Sequence, residues 1–471
     1  MREMGTKHQS LSSSDPKKRR RVGFSKIDAG VLASDCIDIY LVSKQEEVGS
    51  TNSFHLETVD LNCFFEDDGY VFGYQGLKIT IWINTVSFHA YADISFQSSS
   101  DGGKGITDLK SALQSIFADN LLEEKDVFLQ TFSKERHYIN SVSSNAEPLK
   151  HETSIEHIAG SDAEFQVFRI VGEPLGRFYC RLVPLVLLLV EGSNPIDVTD
   201  PRWEIYLSVK KSSNLQDNHH LQLIGFAAVY RFHHYPDGAR LRLGQILVLP
   251  QYQHKGYGRN LIKVLNNVAA NENVYDLTVE EPDDSFQHVR TCIDVERLLA
   301  FDPIKSAWDS DALRIKKGKK GSKRSVGEIQ ILRPPAKVVE AVRKSLKINK
   351  KQLMQCWEVL IYLHLNDEDD MDGFRAVVAD RVRGDVIGAK GSLTSSGKRA
   401  VVDVPTEYDE GTSFVMFEFQ DEGAAASCSI DKEDDEKVVE EQLEKLVDER
   451  MKQIRFISEK VSLPLGGPKP E

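Results

Sequence analysis

From about Phe24 onward, apolar residues alternate with polar ones or run unbroken for a few positions. Residues 38–42, 71–74 and 77–83 each read as short strands on that pattern. The spacing then changes. Leu109, Leu113, Ile116 and Phe117 recur at intervals of three and four, which predicts a helix within 108–122 with Asp108 as its N-cap. Residues 141–157 are polar and predict a loop. The apolar run 182–190 predicts a buried helix or strand; at nine residues it falls well short of the roughly 20 needed to cross a bilayer.

A sharper pattern begins at Asp200-Pro201-Arg202-Trp203. Residues 203–210 read as a strand, 212–220 as a polar connection and 221–232 as a second strand. The turn residues Pro236, Asp237 and Gly238 then reverse the chain into a third strand over 241–249. A glycine-bearing loop, 253–258, leads into an amphipathic helix with Leu261, Ile262, Leu265, Val268 and Ala269 on one face. A strand over 274–279 and a helix over 285–300 follow. Three meandering strands and then loop, helix, strand and helix describe an α/β sandwich of about 100 residues.

Past 305 the character changes again. Residues 314–324 form a basic, glycine-punctuated linker, and two helices are expected over 336–346 and 352–365. Residues 366–430 are charged and rich in Gly and Ser, with strand-like pieces at 399–404 and 413–420. Leu443, Leu446, Val447, Ile454, Ile457 and Val461 form one helical stripe within 437–461, and its early part is strongly acidic, as the helix dipole favours.

Composition narrows the function. A formal net charge of −13 argues against a protein that grips nucleic acid through phosphates, and suits a basic partner. The six cysteines are scattered with no CxxC pair, so neither a zinc site nor a disulfide framework is expected. His233 and His234 lack a third ligand nearby, so no metal is expected. The run Pro16-Lys17-Lys18-Arg19-Arg20-Arg21-Val22 reads as a nuclear import signal in an unstructured N-terminus.

The chemistry centres on Gln253-x-x-Gly256-x-Gly258, a turn between an apolar strand and an amphipathic helix. A diphosphate needs converging backbone N–H donors, which the first turn of a helix offers. Glycines let it approach without a Cβ in the way. Lys255 and Arg259 flank the turn and add charge. Next, Glu280 and Glu281 sit where the following strand ends, before Pro282. Strand alternation points neighbouring side chains to opposite faces, so one carboxylate is expected to face the cleft. Apolar walls or a second carboxylate can raise a carboxylate's pKa toward the working pH, which suits it to act as a base.

In this setting the turn resembles the acetyl-CoA site of the GNAT superfamily. The resemblance implies that Gln253, His254, Lys255, Gly256, Tyr257, Gly258 and Arg259 hold the pyrophosphate, while Ile246, Leu247 and Val248 lie along the pantetheine and acetyl group. It also implies strands that splay apart here, freeing a backbone N–H for the thioester oxygen, a large catalytic contribution in such sites. The string Leu277-Thr278-Val279-Glu280-Glu281-Pro282 is similar to the segment of the type B histone acetyltransferase catalytic subunits that carries their general base. That likeness implies Glu280 as base, Glu281 as supporting carboxylate and Ser285 as a cofactor contact.

Phe72-Gly73-Tyr74-x-Gly76-Leu77-Lys78-Ile79 resembles the N-terminal domain of the same family, where preceding acids contact the histone tail. Asp67 and Asp68 match those acids; Gly69 stands where a further acid is common. Tyr230, Arg231 and Phe232 match another peptide-contacting stretch, and Trp203 is expected in the core.

The resemblance spans roughly 24–365, and 366–471 read as an extension of the kind a plant-like member carries. The fold class expected is α+β: a GNAT-type mixed α/β domain at 199–305, an N-terminal mixed, β-rich domain at 24–198 and C-terminal helices. Residues 1–23 are a disordered basic start, 306–365 a basic linker with helices, 366–430 a charged, partly disordered insert and 431–471 an acidic helix and tail. The activity implied is direct acetyl transfer from acetyl-CoA to lysines of free, newly made histone H4. The implied partners are that basic tail and a WD-repeat histone-binding β-propeller, with no direct nucleic acid and no membrane. The implied location is nucleus and cytoplasm. Two rival readings stand beside it: a scaffold that kept the fold without turnover, or an acetyltransferase of a non-histone lysine or an α-amine.

Overall fold

The computed structural model describes residues 30–51, 53–149, 165–211, 220–236, 238–309, 334–365, 368–390 and 432–462. The import signal, the basic linker 314–324, the connection 212–219 and the strand-like pieces at 399–404 and 413–420 lie outside the described residues. The chain divides into two compact units. The first comprises residues 1–227 with 245–255, and the second 228–244 with 256–471.

In the first unit, strands β1 (Ile37–Val42), β2 (Lys78–Asn84) and β3 (Ala90–Ser95) form the centre of a five-stranded sheet with Phe54–His55 and Leu121–Leu122 on its edges. β1 and β2 are parallel, pairing Ile37 with Ile79 through Val42 with Asn84, and β2 and β3 are antiparallel. Ile39, Ile79 and Ile81 are buried on one face. On the other, Trp82 stacks on Tyr91, which meets Phe128. Helix α1 (Leu109–Phe117) starts where the sequence predicted, with the Asp108 carboxylate accepting from the Lys110 and Ser111 amides. Phe128 belongs to α2 (Lys125–Lys134).

Of the expected loop 141–157, residues 150–157 lie outside the described residues, and 141–149 depart from it. Tyr138–Ser144 is helical and Glu147–Leu149 is a strand, because Ile139 is buried and the strand pairs with β4 (Phe165–Val171). The apolar run resolves as a helix, α3 (Glu173–Leu189), entered through Gly172 at φ 71° with Pro184 inside it. β5 (Trp203–Lys211) lies antiparallel to β4 in full register from Phe165↔Lys210 to Val171↔Glu204. The buried Glu204 accepts from Arg169 and from the Tyr206 hydroxyl, so its charge is satisfied. Trp203 is half-buried at the strand start.

β6 (Leu221–His234) and β7 (Gly238–Val248) each pass through both units. In the second unit, β7 pairs in parallel with β8 (Leu277–Val279), from Leu241↔Leu277 to Leu243↔Val279. β8 is shorter than the expected 274–279. The preceding segment is tied down differently: the Tyr275 amide donates to Ala239 and the buried Asp276 carboxylate receives both Arg240 nitrogens at 2.6 and 3.1 Å.

Helix α4 (Tyr257–Asn271) buries the predicted stripe, including Leu261, Ile262, Leu265, Val268 and Ala269. α5 (Asp284–Leu299) is N-capped by Asp283. Ala336–Leu346 is helical as expected, and α6 (Lys350–Leu363) begins at the Asn349 cap.

The charged insert is a helix where described: α7 (Glu368–Lys390) buries Phe374 and Val378 against the same core as Trp357 and Ile454. Its few apolar residues are diluted by charge, which masks the period. α8 (Lys432–Ser462) buries Leu443, Val447, Ile454 and Ile457, while Leu446 is exposed rather than part of the stripe. Arg375 reaches Asp448 and Arg383 reaches Glu440, so α7 and α8 run antiparallel. The buried Glu358 of α6 holds both Arg381 of α7 and Arg450 of α8.

Candidate active site

Within the first unit, the end of β7 is pressed against β6. A Cβ on Gly225 would stand 2.3 Å from the Leu247 carbonyl oxygen, so only glycine permits this approach. The Leu249 amide donates to Ile224 at 2.9 Å and closes the strand end.

Gln245 is buried and fully engaged. Its oxygen accepts from the Tyr179 hydroxyl at 2.8 Å, and its Nε2 donates to Ser193 Oγ and to the Asn194 carbonyl. The Ile196 amide in turn donates to the Tyr179 oxygen. This network pins α3 and the segment 193–196 to β7 just before Ile246, Leu247 and Val248. A lone glutamine in an apolar strand was its only trace in the sequence.

The turn follows at once. Gln253 Nε2 donates back to the Val248 carbonyl at 2.9 Å, folding the turn over the strand end. His254 adopts φ 58°. Lys255 Nζ donates to the Gln251 carbonyl and lies 5.9 Å from the Tyr252 ring, which also carries Lys210 at 4.5 Å. Burial, and then the Lys255 charge, hold the Lys210 ammonium below its ordinary pKa.

Within the second unit, Gly256 is the N-cap of α4 at φ 86°, and a Cβ there would meet nothing within 4 Å. It offers no side chain to the first-turn amides, and Asn260 is the residue whose amide returns to Gly256. Tyr257 is buried, and Gly258 and Arg259 complete the helix start. The Arg259 guanidinium donates to both Glu296 oxygens at 2.6 and 2.5 Å, joining α4 to α5, so sequence reading missed Glu296 as its partner.

Glu280 and Glu281 stand past β8 rather than in it. The Glu280 amide donates to the Leu243 carbonyl at 2.9 Å, and Glu281 takes φ 35°. Strand alternation therefore does not set their directions; the bend does. Both side chains are exposed. The Ser285 hydroxyl donates to Asp283 at 2.6 Å. Burial pushes the Asp283 carboxyl up, but that bond and the Phe286 and Ser285 amides hold it below the usual range.

Tyr230 and Phe232 share one face of β6 with rings 4.5 Å apart, and Arg242 lies over Phe232 at 4.6 Å. Arg231, pointing the other way, donates to Glu272 at 2.5 Å. His234 packs on Tyr275, with ring centroids 3.8 Å apart. In the first unit, Asp67 and Asp68 lie in the single helical turn Glu66–Gly69, where Asp68 is exposed at φ 57°. Among the described residues no group of three or more His, Cys, Asp or Glu side chains is arranged to hold a metal, and no helix is long and apolar enough to cross a membrane.

Residues 29–191 match the family model described as histone acetyl transferase HAT1 N-terminus, and residues 194–289 match that of the acetyltransferase (GNAT) family. The histone acetyltransferase type B catalytic subunit of Arabidopsis thaliana is 49% identical over 95% of this chain and 96% of its own length. The chain belongs to the type B histone acetyltransferase catalytic subunit family. The Zea mays relative of the same name is 45% identical over 95% of this chain and 94% of its own length. A Dictyostelium discoideum member is 25% identical over 63% of this chain and 59% of its own length.

The family thus carries its GNAT acetyltransferase domain here behind the N-terminal sheet domain and ahead of the C-terminal helices. The chain is an acetyltransferase. The two plant relatives match across 95% of this chain, a span too long to leave out the whole C-terminal segment that holds α7 and α8.

Proposed function

We propose that this chain transfers the acetyl group of acetyl-CoA directly to lysines in the amino-terminal tail of free, newly synthesised histone H4. One observation carries the reading: in a chain of this family, the Gln253–Gly258 turn opens a helix whose N-cap supplies no side chain. First-turn amides beside a glycine with open space around it fit a diphosphate.

Acetyl-CoA supplies an acyl group activated as a thioester. Gln253, His254, Lys255, Gly256, Tyr257, Gly258 and the Arg259 amide hold its pyrophosphate. Ile246, Leu247 and Val248 line its pantetheine arm. β8 ends at Val279, opposite Leu243, and a backbone N–H farther along β7 is assigned to the thioester oxygen. Ser285 is a further cofactor contact.

Glu280 takes the proton from the lysine ammonium, directly or through water, since the amine has no lone pair until it does. Its backbone is anchored to β7 through Leu243, which fixes where the carboxylate begins. Glu281 is the supporting carboxylate. The amine nitrogen then bonds to the acyl carbon, the carbon–sulfur bond breaks, and CoA leaves with a proton as the thiol. Asp67 and Asp68 of the first unit are assigned as peptide contacts, and so, separately, are Tyr230, Arg231 and Phe232 of the second. Charge complementarity selects a Lys/Arg-rich tail.

A WD-repeat histone-binding β-propeller is the partner, and nucleus and cytoplasm are the locations this role requires. The experiment is a panel of H4-tail, other histone, non-histone and α-amine peptides incubated with acetyl-CoA and read by mass spectrometry. Preferred acetylation of H4-tail lysines is expected; preference for another peptide overturns the substrate. Glu280→Gln and Glu281→Gln, assayed in parallel, separate the two carboxylates. A loss of about 10²-fold or more in kcat with retained CoA affinity is expected for Glu280→Gln; an unaltered pH–rate profile refutes the assignment.

A further inference from the structure

Beside the acidic turn in the first unit lies a surface hollow lined by Asp68, Tyr70, Phe72 and Lys104. Tyr70 and Phe72 stack at 6.1 Å with planes 27° apart. Phe72 is buried, and a Cβ on Gly30 would stand 2.7 Å from its ring, so that ring is held in place from behind. Aromatic faces next to a carboxylate are what recognise an ammonium or guanidinium. The hollow already contains one: Lys104 Nζ lies 4.6 Å from the centroid of the Phe72 ring.

The loop that brings it there is built for the purpose. Its two stems are fastened to the link between the short strands Tyr70–Val71 and Tyr74–Gln75: Ser100 donates to the Gly73 carbonyl, and Thr107 donates to the Phe72 carbonyl while its hydroxyl accepts from the Phe72 amide. Between the stems runs Asp101-Gly102-Gly103-Lys104-Gly105. Asp101 accepts from the Gly103 and Gly105 amides at 2.7 and 3.0 Å, and these bonds hold its carboxyl below the usual range. Gly103 and Gly105 take φ 98° and 86°, and a Cβ on either would meet nothing within 4 Å. The tip is therefore shaped by its own turn, not wedged by neighbours, and Lys104 can leave without disturbing the stems.

We propose that Lys104 is an internal competitor for a basic side chain of the peptide substrate, seated in a cation subsite formed by Asp68, Tyr70 and Phe72. This rests on the reading that the acidic turn faces the histone tail. A peptide that enters the subsite must first displace the loop lysine, so its apparent affinity falls by the fraction of time the subsite is open. The lysine lowers the apparent affinity of every peptide that uses the subsite by the same modest factor, so a tail with further cation contacts elsewhere is the one that still binds well.

The test uses the full chain with a synthetic H4-tail peptide. Peptide affinity is measured by calorimetry and turnover by steady-state kinetics, for wild type and for Lys104→Met, Lys104→Ala and Lys104→Arg. An exposed cation–π contact predicts peptide Kd and KM lower by about two- to five-fold for Met and Ala. The acetyl-CoA KM is expected to hold, and Arg to behave as wild type. Unchanged or weaker peptide binding in Lys104→Met and Lys104→Ala overturns the competitor role while leaving the substrate assignment intact. Tighter peptide binding without acetylation in any variant upholds the competitor role and sinks the H4 assignment. A wild-type chain that binds no H4-tail peptide overturns both.

Discussion

Gly225→Ala tests whether the close approach of β6 to the end of β7 is what sets the strand proposed to bind the acyl group. The added methyl carbon would start 2.3 Å from the Leu247 carbonyl oxygen and 2.9 Å from the Val248 Cα. Carbon atoms of this kind do not sit closer than about 3.0 Å to such neighbours, so the strands must part by at least about 0.7 Å. Both neighbours are backbone, and no side-chain rotation relieves the clash. Overpacking of this sort costs about 1–3 kcal/mol, and the adjoining Leu249-to-Ile224 hydrogen bond adds about 1 kcal/mol if it is lost. The residues displaced are those assigned to the acetyl group, and a shift on the 1 Å scale costs roughly 10²-fold in rate. Thermal melting followed by circular dichroism and steady-state acetyl transfer read the two effects separately. Gly176→Ala is the control: Gly176 lies in α3, and its Cβ would meet Val198 beyond that helix at 3.6 Å, an ordinary contact. A Gly225→Ala chain with the melting point and kcat of the wild type would falsify the reasoning.

Two further substitutions probe other supports of the site. Gly256→Asp has open space for its side chain but sets a carboxylate among the amides assigned to the pyrophosphate, at φ 86°; calorimetry with CoA is expected to show at least about ten-fold weaker binding, and equal affinity means the turn does not hold the cofactor. Glu358→Ala removes the carboxylate shared by Arg381 and Arg450 and leaves two guanidinium groups at the α6–α7–α8 junction. With Arg381 about a third exposed, a loss of about 2–3 kcal/mol in urea unfolding is expected, and a wild-type midpoint would show the junction to be immaterial.

Periodic segments were legible because burying one face of an element forces a repeat that survives in the sequence. The α4 stripe and the β5–β6–β7 run follow from that rule, while the Asp108 cap and the glycine turn before α4 were legible from the local chemistry of a few residues. The family strings at 72–79 and 277–282 carried the expectation of a type B histone acetyltransferase catalytic subunit, and relatives matching nearly the whole chain bear out that membership. α7 escaped notice for the converse reason. Phe374 and Val378 are enough to anchor a helix once α6 and α8 supply the other walls, but too few to announce one alone.

The sequence by itself determined the helix and strand periods, the glycine turn before α4, the pair of carboxylates before a proline and the acidic net charge. Tertiary structure decided which partners each polar group finds. Gln245 meets Tyr179 across 66 residues and Arg259 meets Glu296 across 37, while Glu358 gathers arginines from two later helices. It also moved Glu280 and Glu281 out of a strand and into a bend, and laid Lys104 on Phe72. A local repeat is written into neighbouring residues. Hydrogen bonds, ion pairs and ring contacts between distant residues arise only when the chain closes on itself, and no spacing encodes them.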